Sequence, residues 1–188
     1  MYPTKMEVNG RIYDINTDYR VALACLKAID DDSISDYEKF IAVESLLLGV
    51  NVLRQDELAL KPKIMKYLRC GRDINVNTSE VDMDYIQDET IIRTSIRQCY
   101  NNLDIGKIDY LHWYEYNELI EGLTTETLLN KIRELRTYDV SKETDLKRKK
   151  EIENAKKRVA LKKKVSLTDE QKSKREQFLK IAKINVKG

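Results

Sequence analysis

The sequence predicts a mostly α-helical protein with a compact helical body, a small N-terminal β-hairpin and a basic C-terminal helical extension. Three observations predict it. Apolar residues recur at helical spacing through most of the chain. Glycine and proline number only 6 and 2 in 188 residues, so few sharp turns are available. An Asn-Gly pair, Asn9-Gly10, stands between short apolar flanks near the N-terminus. That pair supplies the two positive-φ residues of a type I′ hairpin turn.

Met6 and Val8, then Ile12 and Ile15, flank the turn and give the hairpin its apolar residues. Asn16 or Thr17 is placed to cap a helix to about Ile29, with Tyr19, Ala22, Leu23 and Leu26 as its stripe. Asp30-Asp31-Asp32 opposes the dipole at its C-terminus and ends it. These carboxylates lack the spacing, Gly and Glu of an EF-hand, so they read as a solvated loop.

Ser35-x-x-Glu38 is a capping box for a helix carrying Phe40, Ile41, Val43, Leu46 and Leu47 and closed by Gly49. A helix is expected from Pro62, tolerated in a first turn, to Cys70, with Gly71 ending it. The polar stretch 72–80 reads as a loop. From about Tyr85 a core helix runs to Asn101, with Ile92, Ile96, Cys99 and Leu103 on its inner face.

Residues 110–136 hold the only His and the only Trp. Trp113, Tyr116, Leu119 and Ile120 share one helical face, and Gly122 is expected to end that helix in a left-handed conformation. Thr124 or Thr125 would then cap a second helix with the stripe Leu128, Leu129, Ile132 and Leu135. Two stripes on a short link make an αα-hairpin, a packing unit rather than a reaction centre.

Beyond Tyr138 apolar residues thin out. Ser141 is placed to cap a long helix to about Lys164, and Thr168-x-x-Gln171 is a second capping box before Phe178 and Leu179. The domain division is therefore 1–140 for the body and 141–188 for the extension. Charge divides similarly: residues 142–188 carry a net +10 and residues 1–141 a net −8. Such a tail suits an acidic partner or a fold back onto its own body.

The three cysteines, Cys25, Cys70 and Cys99, form no CxxC pair and read as small buried hydrophobes in a reducing compartment. The first ten residues lack the apolar core of a signal peptide, and no apolar run approaches a membrane span. The expectation is a soluble, cytoplasmic protein with no membrane contact. No catalytic, cofactor-binding or metal-binding residue is predicted. His112 has no second His, thiolate or metal constellation beside it, and reads as structural.

In order along the chain, VNGRIYDINTDYRVAL, the LRCG of Leu68–Gly71, VDMDYIQDETIIRTSIRQCYNNLDI and LHWYEYNELIEGLTTETLLNKIRELRTYDV together resemble the tail assembly chaperones of long-tailed phages and prophages of Gram-positive bacteria. The most specific part is the aliphatic-His-Trp start, the Gly-Leu turn and the helix ending in an arginine. Tyr114 stands where that family often has a second Trp, and Ile91, Ile92 and Ile96 replace an aromatic-rich helix.

The resemblance implies a non-enzymatic chaperone that coats the tape-measure protein, helps recruit tail-tube protein and is absent from the mature particle. Its implied partners are those two proteins, with self-association as a further contact. The residues expected to carry structure and interaction are His112, Trp113, Tyr116, Leu119, Gly122, Leu123, Ile132, Arg136, Phe178 and Leu179. Two other readings remain open: nucleic-acid binding through the basic tail, and a structural tail or connector protein. Against nucleic acid, the tail has one aromatic for stacking, Phe178, and its lysines are interleaved with Glu151 and Glu153.

Overall fold

The structure, a computed structural model, describes residues 1–49, 52–72 and 81–162. β1 (Lys5–Val8) and β2 (Arg11–Asp14) pair antiparallel, with Val8 opposite Arg11 and Met6 opposite Tyr13. Asn9 and Gly10 close the turn at φ 51° and 74°, as the Asn-Gly pair requires. Met6 and Val8 are buried, and the hairpin lies on α3 (Glu57–Leu68) rather than standing alone.

α1 (Tyr19–Ile29) packs on α2 (Asp36–Leu48), the most extensive helix pair of the body. The cap of α1 is Asp18, one residue past the expected Thr17; its carboxylate accepts from the Arg20 N–H at 2.8 Å. The Ser35–Glu38 capping box forms in full, and Gly49 ends α2 at φ 80°. α3 begins five residues before the expected Pro62, which therefore sits inside the helix. A proline there removes the N–H that would bond Leu58, and Leu58 is 88% exposed, so water can serve that carbonyl.

The C-terminus of α3 is a Schellman turn. The Cys70 N–H reaches the Tyr67 carbonyl and the Gly71 N–H the Lys66 carbonyl, both at 2.9 Å. α4 (Glu89–Cys99) starts one turn later than the sequence suggested. Asp84 is the reason: its carboxylate accepts from the N–H groups of Ile86 and Gln87 and holds a separate turn. Asn101 and Asn102 stop α4 with φ of 48° and 62°.

α5 (Trp113–Glu121) packs against α1 and α4, while α6 (Leu128–Thr137) packs against α4 and α7 (Leu146–Val159). The expected αα-hairpin is thus replaced by two helices that share α4. The N-terminus of α6 shows why. Neither Thr124 nor Thr125 caps it; Gln98 and Ser95 of α4 accept from the N–H groups of Leu128 and Leu129 at 3.2 and 2.9 Å. The neighbouring helix supplies the cap that was sought in the local sequence. α7 is capped by Asp145 instead of Ser141, whose N–H bonds Asp139. The second capping box, Phe178 and Leu179 lie outside the described residues. No helix among the described residues is long and apolar enough to cross a membrane.

Candidate functional site

The N-termini of α1 and α5 spring from one point. Asp18 and His112 form an isolated antiparallel bridge, in which the Tyr19 N–H bonds the Leu111 carbonyl at 2.9 Å and the Trp113 N–H bonds Thr17 at 2.8 Å. His112 caps α5 with its ring. Its Nδ1 accepts from the Tyr114 N–H at 3.0 Å, so the proton sits on Nε2, which donates to the Pro3 carbonyl at 3.3 Å. Tyr2 stacks on the imidazole at 4.8 Å, and Tyr67 and Tyr114 meet it edge-on. Burial holds the His112 pKa below the usual histidine value, because the neutral ring is the form that fits. The ring thus caps α5 and ties it to the N-terminal segment at Pro3.

Trp113 and Tyr116 are fully buried. The indole N–H donates to the Leu68 carbonyl at 3.2 Å, near the C-terminus of α3. Tyr116 stacks between Tyr19 at 4.7 Å and Trp113 at 5.7 Å. Asn117 closes the polar side: it accepts from the Tyr85 hydroxyl at 2.5 Å and donates to the Trp113 carbonyl at 2.8 Å. The hydroxyls of Tyr67 and Tyr116 are buried without a partner among the described residues.

Leu119 is half-buried, and its carbonyl accepts from the Tyr100 hydroxyl at 3.0 Å. Leu123 is buried. Gly122 departs from expectation: its φ is −77°, not left-handed. Space favours glycine here, since a Cβ would run into the Tyr100 hydroxyl, itself held by the Leu119 carbonyl, and lie 3.3 Å from the Glu118 carbonyl. Ile132 of α6 is half-buried.

Arg136 gathers the far edge of the molecule. Its guanidinium grips Asp88 with both nitrogens, Nη1 to Oδ2 at 2.7 Å and Nη2 to Oδ1 at 2.8 Å. Nη1 also reaches the Asp82 carbonyl at 2.9 Å, and Nε donates to the Val159 carbonyl of α7 at 2.6 Å. Burial alone would raise the Asp88 carboxyl; Arg136 and the Asp84 N–H outweigh it and hold the pKa below the ordinary carboxylate value. Arg133 adds a bond to Asp82 at 2.9 Å. One arginine thereby ties α4, the 81–84 segment, α6 and α7.

Two clamp residues were not singled out from sequence. A helix read from Tyr85 would place Asp88 inside it, hiding its role; an acidic residue just before a periodic apolar run was the available signal. Asp56 gave no signal. Its side chain is fully buried and accepts from Asn9 at 2.7 Å, Arg11 at 3.1 Å and Tyr13 at 2.6 Å, pinning the hairpin to the start of α3. The Tyr13 bond, with those from Asn9 and Arg11, holds the Asp56 carboxyl below its ordinary pKa.

No group of three or more His, Cys, Asp or Glu suited to a metal ion occurs among the described residues. Burial pushes the Cys25 thiol up to about 12 and the Cys70 thiol up to about 11, so both stay protonated at neutral pH. Fold and site therefore define a helical packing unit fastened at its edges by polar clamps. The model of the bacteriophage Gp15 protein family matches residues 2–161, so the chain belongs to that family and is a phage protein. No curated protein and no solved structure matches it.

Proposed function

We propose that this chain is a tail assembly chaperone: it holds the tape-measure protein soluble in the host cytoplasm, helps recruit tail-tube subunits and leaves before the particle is complete. It works by binding, without catalysis. The observation that carries this reading is the outer face of α6, the one that α7 covers: it holds that helix through half-buried side chains and an Arg136 bond to the Val159 carbonyl, as it could hold a client helix in its place. A surface of that kind takes an amphipathic helix with little regard for its sequence. Shallow contacts also release, which a growing tube requires of whatever coats its ruler.

The net −8 over residues 1–141 supports the same role, since like charge keeps coated complexes apart. Membership of a phage family agrees with it. The test is co-expression with the tape-measure protein of the same phage. The expected result is a soluble complex, with the chain missing from purified particles. Finding the chain as a stoichiometric component of mature particles would assign it to the tail structure instead.

A further inference from the structure

Among the described residues α7 is the one α-helix without a buried residue. It lies on α6, and its half-buried residues are Lys149, Ile152, Ala155, Lys156 and Val159. Ile132 and Leu135 of α6 are half-buried and stand apart from the main core. The polar fastenings read only backbone. Arg136 bonds the Val159 carbonyl, while the Gln87 amide takes both the Lys162 N–H at 2.8 Å and the Lys162 carbonyl at 3.3 Å.

From this geometry we infer that the outer face of α6 is a helix dock which α7 of a second copy also fills, so that two chains link by exchanging α7. Any second copy presents the identical half-buried residues and the same backbone groups at Val159 and Lys162. The dock survives being emptied, because Arg136 keeps Asp88 and the Asp82 carbonyl when Val159 leaves. Opening exposes little apolar surface and returns a few hydrogen bonds to water, a small net cost.

The hinge is equally ready. Between Thr137 and Leu146 its bonds are mostly local, as between Ser141 and Asp139 and between Asp145 and Glu143. Charge holds α7 on either dock alike, since α7 (LKRKKEIENAKKRV) is strongly basic and every copy offers it a body of net −8. Within one chain, a short hinge holds α7 near its own dock at an effective concentration on the order of millimolar. Dilute chains therefore close on themselves, whereas copies crowded along a common partner exchange.

Hinge length gives the test. Val159 sits at Arg136, and Leu146 lies the length of α7 away, about 20 Å at the helical rise. Deleting residues 139–144 leaves two peptide units between Tyr138 and Leu146, about 7 Å at most. The shortened chain cannot reach its own dock. Light scattering should then show a doubling of mass where the intact 22.1 kDa chain is single. Gln87→Ala in the shortened chain should weaken that dimer about a hundredfold, because each of its two docks loses two hydrogen bonds.

A shortened chain that keeps its helicity but stays single, with α7 cut rapidly by trypsin, overturns the inference. So does a dimer indifferent to Gln87→Ala. A second arm needs no deletion. Full-length Gln87→Cys and Lys162→Cys chains, mixed near millimolar, warmed and cooled, should form a disulfide between copies under mild oxidant; none forming overturns the exchange. Neither arm contains a tape-measure protein, so failure here leaves the chaperone reading standing.

Discussion

The centre of the molecule at α5 and its edge at α6 and α7 are held by different physics. At the centre, Trp113, Tyr116 and Ile92 lose essentially all contact with water, and stacked rings and backbone acceptors fix their orientation. At the edge, α7 buries nothing fully and depends on Arg136, Gln87 and Lys156 gripping backbone groups. Apolar burial scales with area and is lost only by opening the core. Hydrogen bonds at a wet edge exchange with water at small net cost. One region is therefore made to last and the other to let go.

The largest break in that contrast comes from the centre. Trp113→Ala should cost about 3–5 kcal/mol, the usual toll for truncating a buried aromatic. Denaturant unfolding followed by circular dichroism measures it. An unchanged midpoint would mean that α5 is not the centre of stability.

Arg136 stands between the two regions. Arg136→Ala should cost about 3 kcal/mol, since it leaves the buried Asp88 carboxylate without its charge partner. Asp88→Asn should cost less, because the amide oxygen keeps an acceptor for the Asp84 N–H and Arg136, and Asp82 and Asp84 still offset the guanidinium charge. Acid acts in the same direction. Asp88 titrates below its ordinary value when folded, so its contribution is complete above about pH 4 and is lost as pH falls through the folded pKa. A stability profile of Arg136→Ala should have lost that acid limb.

His112 gives a smaller effect with a different pH signature. Its folded pKa lies below the free value, so stability is full above about pH 6.5 and declines as pH falls through the folded pKa. His112→Asn keeps a cap acceptor and should remove this limb; His112→Ala should cost about 1 kcal/mol at pH 7. Thermal melts between pH 5 and about pH 8 check both.

Legibility in the sequence follows the same divide. Features set by local chemistry were readable: the Asn9-Gly10 turn, the Ser35–Glu38 box, the Asn101-Asn102 stop and the stripes of α4 and α5. Features set by a distant neighbour were not. Gly122 answers to Tyr100 rather than to its own φ, and the start of α6 is capped from α4. Pro62 lies within α3 because an exposed turn tolerates it. Asp56 is defined by the hairpin, more than forty residues away. Arg136 stood out only as a helix-ending arginine, and its partners Asp88, Asp82 and Val159 come together in space alone.

The smallest expected effect tests the edge directly. Ile152 and Val159 are only half-buried, and Val159 meets Arg136 through its backbone carbonyl, which a side-chain change leaves in place. Replacing both with Ala should therefore lower global stability by less than about 1 kcal/mol, far below a core truncation. Hydrogen exchange should separate the regions even in the unaltered chain. Amides of α5 need global unfolding to exchange, whereas those of α7 need only a local opening that leaves Arg136 on Asp88. The double variant should speed exchange in α7 and leave α5 unchanged. If α5 and α7 exchanged together, at the free energy of global unfolding, the edge would be as permanent as the centre, and a detachable α7 would have no physical basis.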